Sequence, residues 1–138
     1  MPSLEAEPYA AAASSAGIDL VMIAAPNTPR PALERIARFS SGYSYCVARS
    51  GVTGTGLAPA LDHGALFVQL RDAGAPPPIL GFGISTPGQV VEALAAGAAG
   101  VITGSALVSL VAEGAGPAAV ATFVRSMKEA TRSAVAVT

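Results

Sequence analysis

Gly81-Phe82-Gly83-Ile84-Ser85 and Gly100-Val101-Ile102-Thr103-Gly104-Ser105-Ala106 are the two stretches on which the fold turns. Each joins a short apolar run to a glycine turn just before a helical pattern. Between them, Thr86 to Ala98 reads as a single helix. The order is strand, glycine turn, helix, given twice. The first N–H groups of a helix have no partner within it, and its dipole makes that end positive. Two such ends side by side form a pocket for a dianionic phosphate. In an eight-stranded α/β barrel the loops after strands seven and eight build that site.

Reading outward, a first helix is expected from Leu4 to Ala16, capped by Ser3 and closed by Gly17. Ile18 to Ala25 is continuously apolar, as a buried parallel strand requires. Pro26-Asn27-Thr28-Pro29 is a loop in which Thr28 caps the next helix and Pro29 is its first residue. That helix shows Leu33, Ile36, Ala37 and Phe39 on one face and ends at Ser41-Gly42. Tyr43 to Ala48 is the next strand, with Tyr43 and Tyr45 on one side of it. Arg49 to Gly56 is a long polar loop, and Ala60 to Ala73 a helix ended by Gly74. Strands follow at Ile79 to Phe82 and Ala99 to Thr103. Ser105 caps a short helix to Ala112, and Pro117 opens an amphipathic helix reaching Arg132.

One helix, four βα units and an extra helix imply a parallel sheet with right-handed crossovers. Four strands cannot close a barrel. The choice lies between an open four-stranded α/β sandwich and half of a (β/α)8 barrel, and the loop pattern fits the half-barrel.

The bulk numbers agree with a fold that leaves surface to be covered. Of 138 residues, 51% are hydrophobic and only 12% charged, against a usual charged share of about 25%. A net charge of −1 offers no basic field for nucleic acid. No apolar run reaches the roughly 18 residues of a membrane span, and the first residues lack the pattern of a signal peptide. The single cysteine, Cys46, excludes an internal disulfide and fits a reducing, cytoplasmic compartment.

The stretch Tyr43-Ser44-Tyr45-Cys46-Val47-Ala48-Arg49-Ser50-Gly51-Val52-Thr53-Gly54 resembles a strand and the sixth loop of the tryptophan synthase alpha chain family. Gly81-Phe82-Gly83-Ile84-Ser85-Thr86-Pro87 with Gln89-Val90 is similar to that family's seventh strand and turn. Gly104-Ser105-Ala106 resembles its eighth, and Ala24-Ala25-Pro26-Asn27 the end of its fifth. The resemblance runs in order from about Glu5 to Lys128. It implies a single partial barrel domain over residues 1–138, carrying strands five to eight.

It further implies aldol cleavage of indole-3-glycerol phosphate to indole and glyceraldehyde 3-phosphate, without cofactor or metal, beside a beta chain that receives the indole. The phosphate would be held by backbone N–H groups of Gly54, Gly83, Gly104 and Ser105 and by the Ser105 hydroxyl. Phe82 and Ile102 would touch the apolar part of the substrate, Thr53 would close the loop, Tyr45 would neighbour the catalytic acid, and Asn27 would sit on the same side. The family's acid/base glutamate and its indole-holding aspartate belong to segments that precede the matched region. None of the nine acids ends a strand of this chain, where barrel enzymes place their chemistry.

Plainer readings accompany these. The glycines could be tight turns only. Arg49 could be a solvated charge or a substrate contact. His63 reads as a surface or capping residue, and Cys46 and Met22 as core. Two further functions stay open: a non-catalytic phosphate-binding partner subunit, and half of a phosphosugar isomerase, which would want a strand-ending Asp or Lys. A half-barrel should also leave strand edges near Ile18 and Ala99, and inner faces at Val21, Ile23, Ile79 and Val101. These should be met by an N-terminal half or by self-association.

Overall fold

The computed structural model describes residues 5–47 and 63–135. Along the chain run α1 (Ala6–Ser15), β1 (Ile23–Ala24), α2 (Arg30–Phe39), β2 (Ser44–Val47), α3 (His63–Asp72), β3 (Pro78–Gly81), α4 (Pro87–Ala95), β4 (Gly100–Val101), α5 (Ser105–Ala112) and α6 (Pro117–Val135). The strands form one sheet in chain order, every pair parallel. This is the expected α, four βα units and a final helix.

Register sorts the side chains into rows. Ala24, Cys46, Leu80 and Val101 are successive partners and face the helices. The first three are buried. Against them pack Leu33 and Ile36 of α2, Leu66, Phe67 and Leu70 of α3, and Val90 and Ala93 of α4. Burying a side chain such as Phe67 contributes about 1.5–3 kcal/mol. Met22 and Cys46 belong to this core as expected, joined by Met127 and Ala130 of α6. Val101 was expected on the inner face. Its pairing with Leu80 turns it to the helix side, where it packs on the core.

The neighbouring row is Ile23, Tyr45, Ile79 and Gly100. Ile23 is 62% exposed, because no element among the described residues covers this side of the sheet. The buried strand expected over Ile18 to Ala25 shrinks accordingly to Ile23–Ala24, and Ile18 is 64% exposed.

Local signals place most element ends. Gly74 and Gly97 follow α3 and α4 with φ of 74° and 107°. The next N–H groups return to the Leu70 and Ala93 carbonyls, which closes each helix. Two caps differ from expectation. Thr28 does not cap α2: its hydroxyl accepts from the Ala25 N–H at 2.8 Å, and Pro29 takes the cap position. Ser105 is the first residue of α5 rather than its cap, a place taken by Gly104. The Ser3 cap, Ala48, Ala60 and the Arg49 to Gly56 loop lie outside the described residues.

Burial pushes the Cys46 thiol up from its ordinary value near 9 to about 12. The folded state therefore keeps a proton that the unfolded chain loses first. Its contribution to stability is full below about pH 9 and is lost as pH rises towards 12. In native protein at pH 8, a thiol reagent should label Cys46 only at the rate of unfolding, and urea midpoints should fall between pH 9 and 11. A Cys46→Ala variant should show a flatter decline. Rapid labelling of the folded chain would place the thiol at the surface.

Candidate functional site

A cleft of about 300 Å³ opens where β3 and β4 end. Tyr45 of β2 forms one wall. Phe82, Gly83, Ile84 and Ser85 come from the turn after β3. Ile102, Gly104, Ser105, Ala106 and Ser109 come from the end of β4 and from α5. Chain order explains the convergence: parallel neighbours bring their C-terminal ends to one rim.

The turn after β3 is unusual. Phe82 has φ of 65° and Gly83 has φ of 81°, so two consecutive residues are left-handed. For a residue with a Cβ this costs about 1–2 kcal/mol. Phe82 remains 65% exposed and meets the Tyr45 ring edge-on, with centroids 6.2 Å apart. Such a pair contributes about 0.5–1.5 kcal/mol, which at best offsets the strain. The turn is held from behind: the Thr103 hydroxyl donates to the Ile84 carbonyl at 2.7 Å and ties the two rim segments together. Gly81 is required for a different reason. A Cβ there would collide with the Tyr45 phenol. Burial, and secondarily neighbouring Tyr43, hold that phenol above its ordinary value near 10, so it is a protonated donor at neutral pH.

The two helix ends at the rim are not equivalent. At α4 the chain caps itself. The Thr86 hydroxyl accepts from the Gln89 N–H at 3.3 Å, and the Gln89 side-chain oxygen accepts from the Ser85 and Thr86 N–H groups at 2.8 and 3.1 Å. Those donors are already used. At α5 no side chain caps the helix. The N–H groups of Ser105 and Ala106 lie at its uncapped end, and Ser105 and Ser109 line the cleft one turn apart. Of the two helix ends expected to receive an anion, α4 thus spends its Ser85, Thr86 and Gln89 amides on its own cap, while α5 has no side-chain cap.

Of the residues singled out from the sequence, the structure gathers Tyr45, Phe82, Gly83, Ile102, Gly104 and Ser105 into this cleft. Thr53, Gly54 and Arg49 lie outside the described residues. Asn27 is exposed in the turn after β1 and does not line the cleft. His63 opens α3, half-buried and stacked on Phe67 at 6.3 Å. Sequence reasoning missed Ser109 and Thr103. The i, i+4 spacing of Ser105 and Ser109 was the available signal for the first. Among the described residues no carboxylate or cation lines the cleft, and no cluster of metal-ligating side chains occurs.

Four consecutive parallel βα units, with a glycine-turn cleft at the ends of the last two strands, define the chain as half of a (β/α)8 barrel. A family model described as tryptophan synthase alpha chain matches residues 1–136, and the chain belongs to that family. The tryptophan synthase alpha chain of Aeromonas salmonicida (strain A449) is 50% identical over 104 residues, which is 75% of this chain and 39% of the relative. A mutant tryptophan synthase alpha-subunit from the hyperthermophile Pyrococcus furiosus superposes with a TM-score of 0.75 at 30% identity, covering 94% of this chain and 52% of that one. A chain of the Pyrococcus furiosus tryptophan synthase a2b2 complex gives 0.71 at 30% identity, covering 94% and 50%. This chain thus spans about half the length of the relatives it matches, or less.

Gly81→Ala should cost about 1–3 kcal/mol, the usual range for overpacking, because Tyr45 must leave its place. Tyr45→Ala should remove most of that added cost, a coupling measurable by urea unfolding of the four variants of a double-mutant cycle. Additive effects of the two changes would mean that ring and glycine do not meet.

Proposed function

We propose that this chain provides the phosphate-anchoring half of a site that cleaves indole-3-glycerol phosphate to indole and glyceraldehyde 3-phosphate, as a cytoplasmic partner of a tryptophan synthase beta chain. The observation that carries the reading is the cleft itself. It gathers the uncapped start of α5, Ser105 and the Gly83 turn into one cleft with the apolar side chains of Phe82 and Ile102. That pairing suits a ligand with a phosphate at one end and an aromatic body at the other. Family membership supports the reaction, and the a2b2 complex among the similar structures supports the beta-chain partner.

Anchoring and proton transfer fall on different segments in this reading. A retro-aldol step needs a positioned acid and base, a contribution of about 10²–10⁴-fold in rate. The described part of the cleft offers hydroxyls and amides only. The carboxylates described elsewhere serve the surface: Glu34 pairs with Arg30 at 3.2 Å and Glu7 with Arg38 at 3.5 Å. The same lack of carboxylates favours a second reading, a non-catalytic phosphate-binding subunit.

Titration with glycerol 3-phosphate, followed by amide NMR, should shift Gly83, Gly104, Ser105 and Ala106. Ser105→Ala should weaken binding roughly ten- to hundredfold, since a hydrogen bond to a charged group contributes about 1.5–3 kcal/mol. Gly83→Asp should abolish binding by setting a carboxylate against the phosphate. Shifts confined to Arg125 and Lys128 would move the site to α6.

The 138 residues alone should show no indole release from indole-3-glycerol phosphate. Addition of a separately made segment carrying the family's four preceding βα units should restore it. Restoration separates the catalytic reading from the second one. Turnover by the chain alone, unaffected by Glu-to-Gln changes, would place the chemistry elsewhere.

A further inference from the structure

We infer that Thr103 is a positioning residue: its hydroxyl sets the spacing of the two segments that hold the phosphate, and so sets affinity without touching the ligand. The inference rests on the phosphate reading of the cleft. At the end of the β3–β4 pair the Ile102 N–H donates to the Leu80 carbonyl at 2.8 Å. One residue further on, the Thr103 hydroxyl donates to the Ile84 carbonyl at 2.7 Å. Consecutive residues of one segment thus hold Leu80 and Ile84 of the other. Between these two holds lie Gly81, Phe82 and Gly83, and the last two are left-handed, with φ of 65° and 81°.

The Thr103 bond spans 19 residues of sequence, so it joins two segments rather than tightening one turn. Both of its ends are anchored. The Ile84 side chain is buried in the core. Thr103 is half-buried and β-branched, which restricts its χ1 and keeps the hydroxyl aimed. Thr103 itself does not line the cleft, but its neighbours do. Gly104 and Ser105 follow it directly, and Gly83 directly precedes Ile84. The donors proposed for the phosphate therefore sit one or two residues from the two ends of a single short bond. A phosphate that bridges Gly83 and Ser105 needs both in place at once. With the bond made, their separation is set before the ligand arrives. Without it the left-handed turn must be ordered by the ligand, and that ordering is subtracted from affinity.

The test is a titration of the 138-residue chain with glycerol 3-phosphate, read by amide NMR and nitrogen relaxation. In the free parent, order parameters at Gly83 and Ile84 should already lie near the rigid-backbone value of about 0.85. Thr103→Val removes the donor and keeps the branch. It should lower those order parameters and weaken binding about two- to tenfold, the range for one neutral hydrogen bond. Thr103→Ser restores the donor and should recover parent affinity. Thr122→Val makes the same change at a hydroxyl that donates to the Ala118 carbonyl within α6 at 3.0 Å, and should leave affinity unchanged. Urea unfolding of each variant separates positioning from stability. A Thr103→Val chain that is less stable yet binds as tightly as the parent overturns the inference. So does a failure of Thr103→Ser to recover affinity, or an equal weakening in Thr122→Val. Should Thr103→Val not fold, the free parent decides. A turn already rigid at Gly83 and Ile84 supports the inference, and one that is mobile until glycerol 3-phosphate binds overturns it. A rigid turn in a parent that binds no glycerol 3-phosphate sinks the phosphate reading itself, and the inference with it.

Discussion

A parallel sheet asks for cover on both faces, because βα crossovers leave its strands apolar on each. The described residues supply cover on one. The helix-facing row is sealed: Ala24 and Cys46 are fully buried, with Leu80 close behind. The other row begins with an isoleucine that is mostly in water. Strand length follows the same constraint. β2 and β3, flanked on both sides, run four residues each, whereas the edge strands β1 and β4 run two. An edge strand has hydrogen-bond partners on one side only, so fewer of its residues are held extended. The composition has the same origin. With 12% of residues charged, the chain has little charge to set on an open sheet face.

The rim shows how the chain keeps a strained feature without a large local gain. Left-handed Phe82 costs about as much as its ring contact with Tyr45 returns. What decides the matter is the set of constraints around it. Gly81 must lack a Cβ to let Tyr45 lie over it, Gly83 must be left-handed to lead into Ile84, and Thr103 holds the Ile84 carbonyl from the next strand. Strain held by its surroundings is common where a ligand will meet the backbone. Here it presents an exposed aromatic ring at the mouth of a glycine-lined cleft.

The order of elements was legible in the sequence because each boundary carries a local chemical signal. The Thr86-Pro87 start with Gln89 three residues after the cap is a capping box in sequence and in structure. Gly74 and Gly97 ended their helices as read. The cleft was legible for the same reason: glycines at strand ends followed by helix starts depend on neighbours in sequence. What could not be read depends on neighbours in space. Val101 faces the helices because of its pairing with Leu80, which no spacing reveals. Ile18 is apolar yet exposed, because none of the described elements packs over it. Thr28 had two backbone N–H groups to choose from, and the loop took it before the helix could. Ser105 lost the cap to Gly104 by one residue. That shift leaves its hydroxyl free on the cleft side, which makes it more useful to a ligand than a cap would be.

The contrast between the two helix ends bears on how such a rim divides its labour. α4 satisfies its first donors internally through Gln89 and so is finished before any ligand arrives. That ties the end of the turn, at Ser85 and Thr86, to the first turn of α4. α5 has no side-chain cap, so in the proposed reading its donors would give up water, rather than a protein partner, to an anion. The described donors of the cleft are neutral and would draw little on long-range attraction, and a chain of net charge −1 adds none. In the proposed reading selectivity would then rest on the shape of the cleft, which holds amides, serines and apolar side chains together. Anchoring of that kind is remote from any bond being broken. Its value lies in holding the rest of the ligand at a fixed distance and angle. The groups that move protons then need only be placed correctly against that fixed body, on whichever segment of the closed barrel carries them.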